Sequence, residues 1–227
     1  MFFRALRVVL ATLMRIVFRP HIDGTDNIPT TGPCIIAANH LSFSDHVFIA
    51  LAVKRPVVFI GKAERLTGKG VKGRLAACFF RAIGLVPVER DGGRGGVAAL
   101  QLAERVLGEG KIFGIHPEGT RTHDGRLYRG RTGVGYLALL TGAPVIPCGL
   151  IGTEKVQPPG TLMFRPYRFR LRFGAPMDFS EHQGRSGEAR LRRQVADQVM
   201  HEIAVLSGQE YVDMYATKAK ALATVSE

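Results

Sequence analysis

Apolar, β-branched runs alternate along the chain with stretches whose apolar positions recur at helical spacing. The runs predict strands over Pro33–Ala38, Pro56–Gly61, Leu85–Val88, Lys111–His116 and Ala143–Ile151. The helical spacing predicts helices over Ser44–Val53, Lys72–Ala82, Val97–Leu107 and Val134–Leu140. Strands that are apolar throughout need cover on both faces. Interleaved with helices, they imply an α/β fold with a mostly parallel central sheet covered by helices. Phe164–Phe173 is different: Arg168, Arg170 and Arg172 alternate with Phe169, Leu171 and Phe173, the period of a strand with one wet face. That pattern predicts an edge strand protected by charge, and it also suits a basic strip facing anionic lipid. After Ser186 a long helix is expected to about Leu206, with a break at Ser207-Gly208 and a last helical stretch beyond.

The N-terminus reads MFFRALRVVLATLMRIVFRP. Its longest run without a charge, Val8–Met14, is far short of the roughly 20 residues that span a bilayer. Arg15, Arg19 and Pro20 are also out of place in a signal peptide. On a helix turning about 100° per residue, Arg4, Arg7, Arg15 and Arg19 share roughly one third of the circumference. Phe, Leu, Ile, Val, Met and Ala fill the remainder. The segment therefore reads as an amphipathic helix lying in a membrane interface, with docking on the domain's own core as the alternative. The expected organisation is an interfacial helix over residues 1–20 and a single domain over residues 21–227.

Composition sharpens this picture only in part. The 227 residues are 46% hydrophobic and 22% charged, enough to build a core and too apolar for disorder. With 31 Lys+Arg against 19 Asp+Glu, the formal charge is +12. That favours anionic partners: nucleic acid, anionic lipid or phosphorylated metabolites. The absence of Trp, and the scarcity of aromatics interleaved with basic residues around the two motifs described below, weigh against nucleic acid. Cys34, Cys78 and Cys148 are scattered through apolar stretches, the usage expected of buried, reduced thiols in the cytosol.

Two short motifs, each placed where an apolar run gives way to a loop, carry the candidate chemistry. In Asn39-His40-Leu41-Ser42-Phe43-Ser44-Asp45, a histidine precedes a carboxylate at the start of a predicted helix. Such a pair can hold one imidazole tautomer and leave the other nitrogen to take a proton. Taken alone, the spacing also describes an ordinary loop histidine and helix-start aspartate. In Pro117-Glu118-Gly119-Thr120-Arg121, a carboxylate, backbone amides, a hydroxyl and a guanidinium are suited to holding an anion. Both motifs fall at predicted C-terminal strand ends, where open α/β sheets place ligands. Lys62 and Arg90 end two further strands at the same edge, Arg90 preceding the glycine-rich Asp91–Gly96. No Gly-x-Ser-x-Gly occurs, and the Gly-Lys near residue 70 lacks P-loop spacing. The seven histidines lack zinc-ligand spacing, so no metal is expected. A base without an enzyme nucleophile points to direct activation of a substrate hydroxyl.

In their order, these blocks resemble the bacterial 1-acyl-glycerol-3-phosphate acyltransferases and the wider glycerolipid acyltransferase superfamily. His40 through Asp45 resembles the catalytic His-x4-Asp block, Gly84–Arg90 the second, Pro117–Arg121 the third and Ala143–Pro147 the fourth. The resemblance covers roughly residues 20–175. It implies acyl transfer from acyl-CoA or acyl carrier protein, as co-substrate with no cofactor, to lysophosphatidic acid, giving phosphatidic acid. Glycerol 3-phosphate or another lysolipid is the alternative acceptor, and a non-catalytic basic module binding membrane or nucleic acid is the reading from another class. By the resemblance, His40 is the base, Asp45 its partner, and Arg90 with Arg121 the phosphate grip. Glu118, Gly119 and Thr120 line the acceptor site, and Lys62 falls where a lysine is common. The expected location is peripheral, on the cytoplasmic face of the cell membrane, against an anionic surface. His116 stands where phenylalanine is usual, and Val-Pro-Val-Glu-Arg departs from the commoner end of the second block.

Overall fold

A computed structural model describes residues 2–62, 70, 73–74, 78–80, 83–88, 95–122, 124–158, 161 and 163–225. The helix expected over Lys72–Ala82 falls largely outside the described residues, as does Arg90. A seven-stranded sheet forms the middle layer, ordered β1-β8-β7-β2-β5-β3-β4. Its strands are β1 (His21–Asp23), β2 (Cys34–Ala38), β3 (Val57–Lys62), β4 (Leu85–Val88), β5 (Ile112–Ile115), β7 (Val145–Ile151) and β8 (Arg170–Phe173). β7, β2, β5, β3 and β4 run parallel, while β8 is antiparallel to β7 and β1 follows β8. A separate parallel pair joins β6 (Leu127–Tyr128) to β9 (Tyr211–Val212).

The sheet alternates its side chains between two cores. Cys34, Ile36 and Ala38 face one, under α1 (Phe2–Phe18) and α2 (Asp45–Ala52). Ile35 and Ala37 face the other, under α3 (Gly95–Gly108), α4 (Gly133–Thr141) and α6 (Ala189–Ser207). α2 is buried along its whole length, and beyond Asp45 and His46 in its first turn it is apolar all round, because α1 covers the side turned away from the sheet. Connections from the neighbouring strands β2 and β5 diverge to opposite faces, through α2 and α4. That divergence opens the crevice where open α/β sheets bind ligands.

Two expectations change. The strand predicted over Phe164–Phe173 is confined to Arg170–Phe173, since Pro166 has no N–H to give a ladder. It is not an edge strand either, because His21–Asp23 pairs along its other side. The N-terminal segment is helical as expected, but its arginines do not share one solvated face. Arg7 turns inward and donates to the carbonyls of Ala50, Val53, Lys54 and Arg55 at the end of α2. Met14 is buried, and Leu10, Ala11 and Phe18 pack on the core. Phe2, Val8, Val9, Leu13, Ile16 and Val17 remain exposed. No helix among the described residues is long and apolar enough to cross a membrane. Cys34 and Cys148 are buried as expected, whereas Cys78 is half-buried.

Candidate active site

The loop after β2 is built around one carboxylate. Asp45 opens α2, with Ser44 at the capping position, and its side chain is wholly buried. Its Oδ2 accepts hydrogen bonds from the amides of Leu41 (2.7 Å) and Ser42 (2.8 Å) and lies 2.9 Å from Nδ1 of His40. With Asp45 ionised, Nδ1 carries the hydrogen and Nε2 is the nitrogen able to take a proton. Burial raises the Asp45 carboxyl to about 6, against the opposing pull of His116, Thr153 and the two amides. The Thr153 hydroxyl lies beside the carboxylate without reaching hydrogen-bond geometry, and Oδ1 is likewise without a partner. Thr153 opens α5 (Thr153–Val156). Just beyond, the backbone carbonyl of Gln157 accepts a 2.9 Å bond from the Ser42 hydroxyl.

Asn39 fixes where this loop begins. Its amide exchanges two hydrogen bonds with the backbone of Leu150 on β7, at 2.7 and 2.9 Å. On the other side, the His40 ring stacks on His116 with centroids 4.0 Å apart and planes 10° apart. His116 donates from Nδ1 to the carbonyls of Ala38 (3.1 Å) and Asn39 (3.0 Å). Burial, then the neighbouring His40, pushes the His116 ring down to about 3, so it is neutral at ordinary pH. Phe59 stacks on its other side at 5.7 Å. Gly114 makes room for this: a Cβ there would fall 2.2 Å from the Phe59 ring.

The loop after β5 is tied to the first. Glu118 accepts from the amides of His40 and Tyr128, both at 3.0 Å, and the Thr122 amide donates to the His40 carbonyl at 2.9 Å. Burial raises the Glu118 carboxyl to about 7 despite those two amides. Both of its oxygens are therefore engaged between the motifs. Gly119 turns the loop at φ +74°, a left-handed conformation that disfavours other residues, with Arg131 against the place a Cβ would occupy. The charge of Arg121 reaches both His46, in the first turn of α2, and Lys220. His46 is buried and held well below its ordinary pKa, chiefly by burial, with the charge of Arg121 acting in the same direction.

The structure thus brings His40, Asp45, Glu118, Gly119, Thr120 and Arg121 together at the C-terminal ends of adjacent strands. Lys62 ends β3 at the same edge, paired in register with Val88 of β4. Spacing alone missed Tyr128, Thr153, Gln157 and Lys220. Each reaches the site from a distant part of the chain, and no local motif marks it. Among the described residues no cluster of side chains suited to a metal ion occurs.

The Acyltransferase family model matches residues 19–151. The chain is 31% identical over 145 residues to the chloroplastic 1-acyl-sn-glycerol-3-phosphate acyltransferase BAT2 of Brassica napus, covering 63% of this chain and 40% of that protein. It is 31% identical over 133 residues to the 1-acyl-sn-glycerol-3-phosphate acyltransferase of Borreliella burgdorferi, covering 59% of this chain and 51% of that protein. Matches to these curated relatives therefore span only about half of their length or less. The crystal structure of the 1-acyl-sn-glycerophosphate acyltransferase PlsC from Thermotoga maritima superposes with a TM-score of 0.68 at 25% identity, covering 89% of this chain and 79% of that one.

Proposed function

The chain belongs to the acyltransferase family that includes the 1-acyl-sn-glycerol-3-phosphate acyltransferases, and from that premise we propose that it acylates lysophosphatidic acid to phosphatidic acid with an acyl thioester as donor. His40 Nε2 takes the proton of the acceptor hydroxyl as its oxygen attacks the thioester carbonyl carbon. The carbon–sulfur bond then breaks, and the thiolate leaves with the proton that His40 returns. Asp45 holds the Nδ1–H tautomer and stabilises the imidazolium that forms between the two transfers. No covalent enzyme intermediate is required. Arg121, with Arg90 and Lys62, holds the acceptor phosphate, the guanidinium through paired hydrogen bonds.

The observation that carries this reading is the 2.9 Å His40–Asp45 pair, bonded through its own backbone to the loop that carries Arg121. The donor is acyl-CoA or acyl carrier protein. The exposed apolar side of α1 and the net charge of +12 support contact with an anionic membrane surface, on the cytoplasmic face of the cell membrane. The test is to offer the purified chain labelled acyl-CoA, and in parallel labelled acyl carrier protein, with lysophosphatidic acid in anionic vesicles. Labelled phosphatidic acid from either donor is the expected product. A folded, vesicle-bound protein that forms none from either would refute the reading.

A further inference from the structure

The last described helix, α7 (Ala216–Val225), meets the Glu-Gly-Thr-Arg loop through Lys220. Its placement is fixed by contacts outside the two motifs. Leu127 and Tyr128 pair with Tyr211 and Val212, and the Arg129 amide donates to the carbonyls of Val212 and Met214. Arg129 and Arg131 both lie over the Tyr215 ring, at 5.9 and 5.4 Å, and Arg131 reaches the Thr217 hydroxyl at 3.4 Å. One turn further on, Lys220 enters the Glu-Gly-Thr-Arg loop. Its Nζ donates to Thr120 Oγ1 at 3.0 Å and to the Arg121 carbonyl.

Resting on the acyl-transfer reading, we infer that Lys220 is a phosphate-binding residue of the acceptor site, supplied by the C-terminal helix to work beside Arg121. The first support is position: the ammonium is seated on the hydroxyl and backbone of the residues proposed to meet the phosphate. The second is charge. Lys220 is held below its ordinary pKa by burial and then by the charge of Arg121, with Glu118 opposing. Two cations thus share one loop. A phosphate monoester placed between Arg121 and Lys220 would relieve that repulsion, and lysine serves such anions as a compact point charge. The third is the seat itself. Cation–ring contacts and a β-pair hold α7 against this loop, so the ammonium is positioned before substrate arrives.

The experiment compares the wild-type chain with Lys220→Met and Lys220→Arg. Calorimetry reads binding of sn-glycerol 3-phosphate, and transfer assays read KM for lysophosphatidic acid and for acyl-CoA separately. The inference predicts that K220M weakens glycerol 3-phosphate binding and raises KM for lysophosphatidic acid by about 10- to 100-fold, the range for one charge-assisted hydrogen bond. KM for acyl-CoA should stay near wild type, and K220R should recover most of the affinity. Wild-type affinity in K220M overturns it. So does a KM change confined to acyl-CoA, which would assign Lys220 to the donor's phosphates. Loss in K220M and K220R alike, with lowered thermal stability, would make Lys220 a strut for the helix and also overturn it. A wild type that binds glycerol 3-phosphate through Lys220 but transfers no acyl group would sink the reaction and leave this inference standing.

Discussion

In the loop after β2, Asp45 gathers the amides of Leu41 and Ser42 and the ring of His40, all between positions 40 and 45. The neighbouring loop after β5 is held almost entirely from outside itself. Glu118 is fastened to His40 and Tyr128, Gly119 packs under Arg131, and Thr120 receives Lys220 from the far end of the chain. One loop organises its own chemistry, while the other is organised by the fold. The proton-transfer pair is therefore set largely by its own loop, and the anion-holding loop depends on packing of the segments that carry Tyr128, Arg131 and Lys220.

The sharpest way to break the first loop is Asp45→Asn. The amide can no longer accept from Nδ1–H with full charge, and both tautomer and imidazolium lose support. A fall in kcat on the order of 10³–10⁴ is expected, read by acyl transfer at saturating substrates. The same carboxyl gives the wild type an acid limb. As pH falls through about 6, Asp45 takes a proton, and kcat/KM should fall with it, the limb belonging to the coupled His40–Asp45 pair.

Glu118→Gln tests the link between the loops. Two amides would then compete for one carbonyl oxygen, and a loss of stability of about 1–3 kcal/mol is expected in denaturant unfolding. Its pH signature has a definite sign. The folded carboxyl titrates near 7 against an ordinary 4.5, so the folded state binds the proton more tightly than the unfolded state. That contribution to stability is present below about 4.5 and is lost as pH rises toward 7, and the variant should flatten that fall.

His116→Phe costs less at neutral pH, and its pH signature has the opposite sign. The ring titrates near 3 when folded against an ordinary 6.5, so its contribution is complete above 6.5 and is lost as pH falls toward 3. The variant should resist acid better between pH 4 and 6, while forfeiting about 1 kcal/mol at neutral pH from the bonds to Ala38 and Asn39. Arg7→Ala touches neither loop. It should cost about 1–2 kcal/mol by uncapping α2 and leave the acid limb unchanged.

The same contrast explains what could be read in advance. The parallel sheet was legible because Cys34–Ala38, Ile112–Ile115 and Val145–Ile151 are apolar throughout, as strands covered on both faces must be. His40 and Asp45 were legible because strand end, turn and helix start place them within reach of each other. Tyr128, Thr153 and Lys220 were not, since their relation to the site exists only once distant segments pack. Arg170 and Arg172 misled for a related reason. Alternation reports a wet face, but whether a strand is an edge depends on its partner, here a segment of three residues, His21–Asp23. Arg7 shows the limit of a helical wheel: it sits with the other arginines by angle, yet its guanidinium is held by the carbonyls at the end of α2.

The most direct test of the account is the rate of labelled acyl transfer to lysophosphatidic acid by wild type and His40→Ala, with thermal unfolding and vesicle binding measured on both. The account predicts that the variant folds and binds vesicles as the wild type does, while its rate falls by at least 10²–10⁴-fold, the range for a positioned general base. A folded His40→Ala protein with undiminished transfer would contradict it.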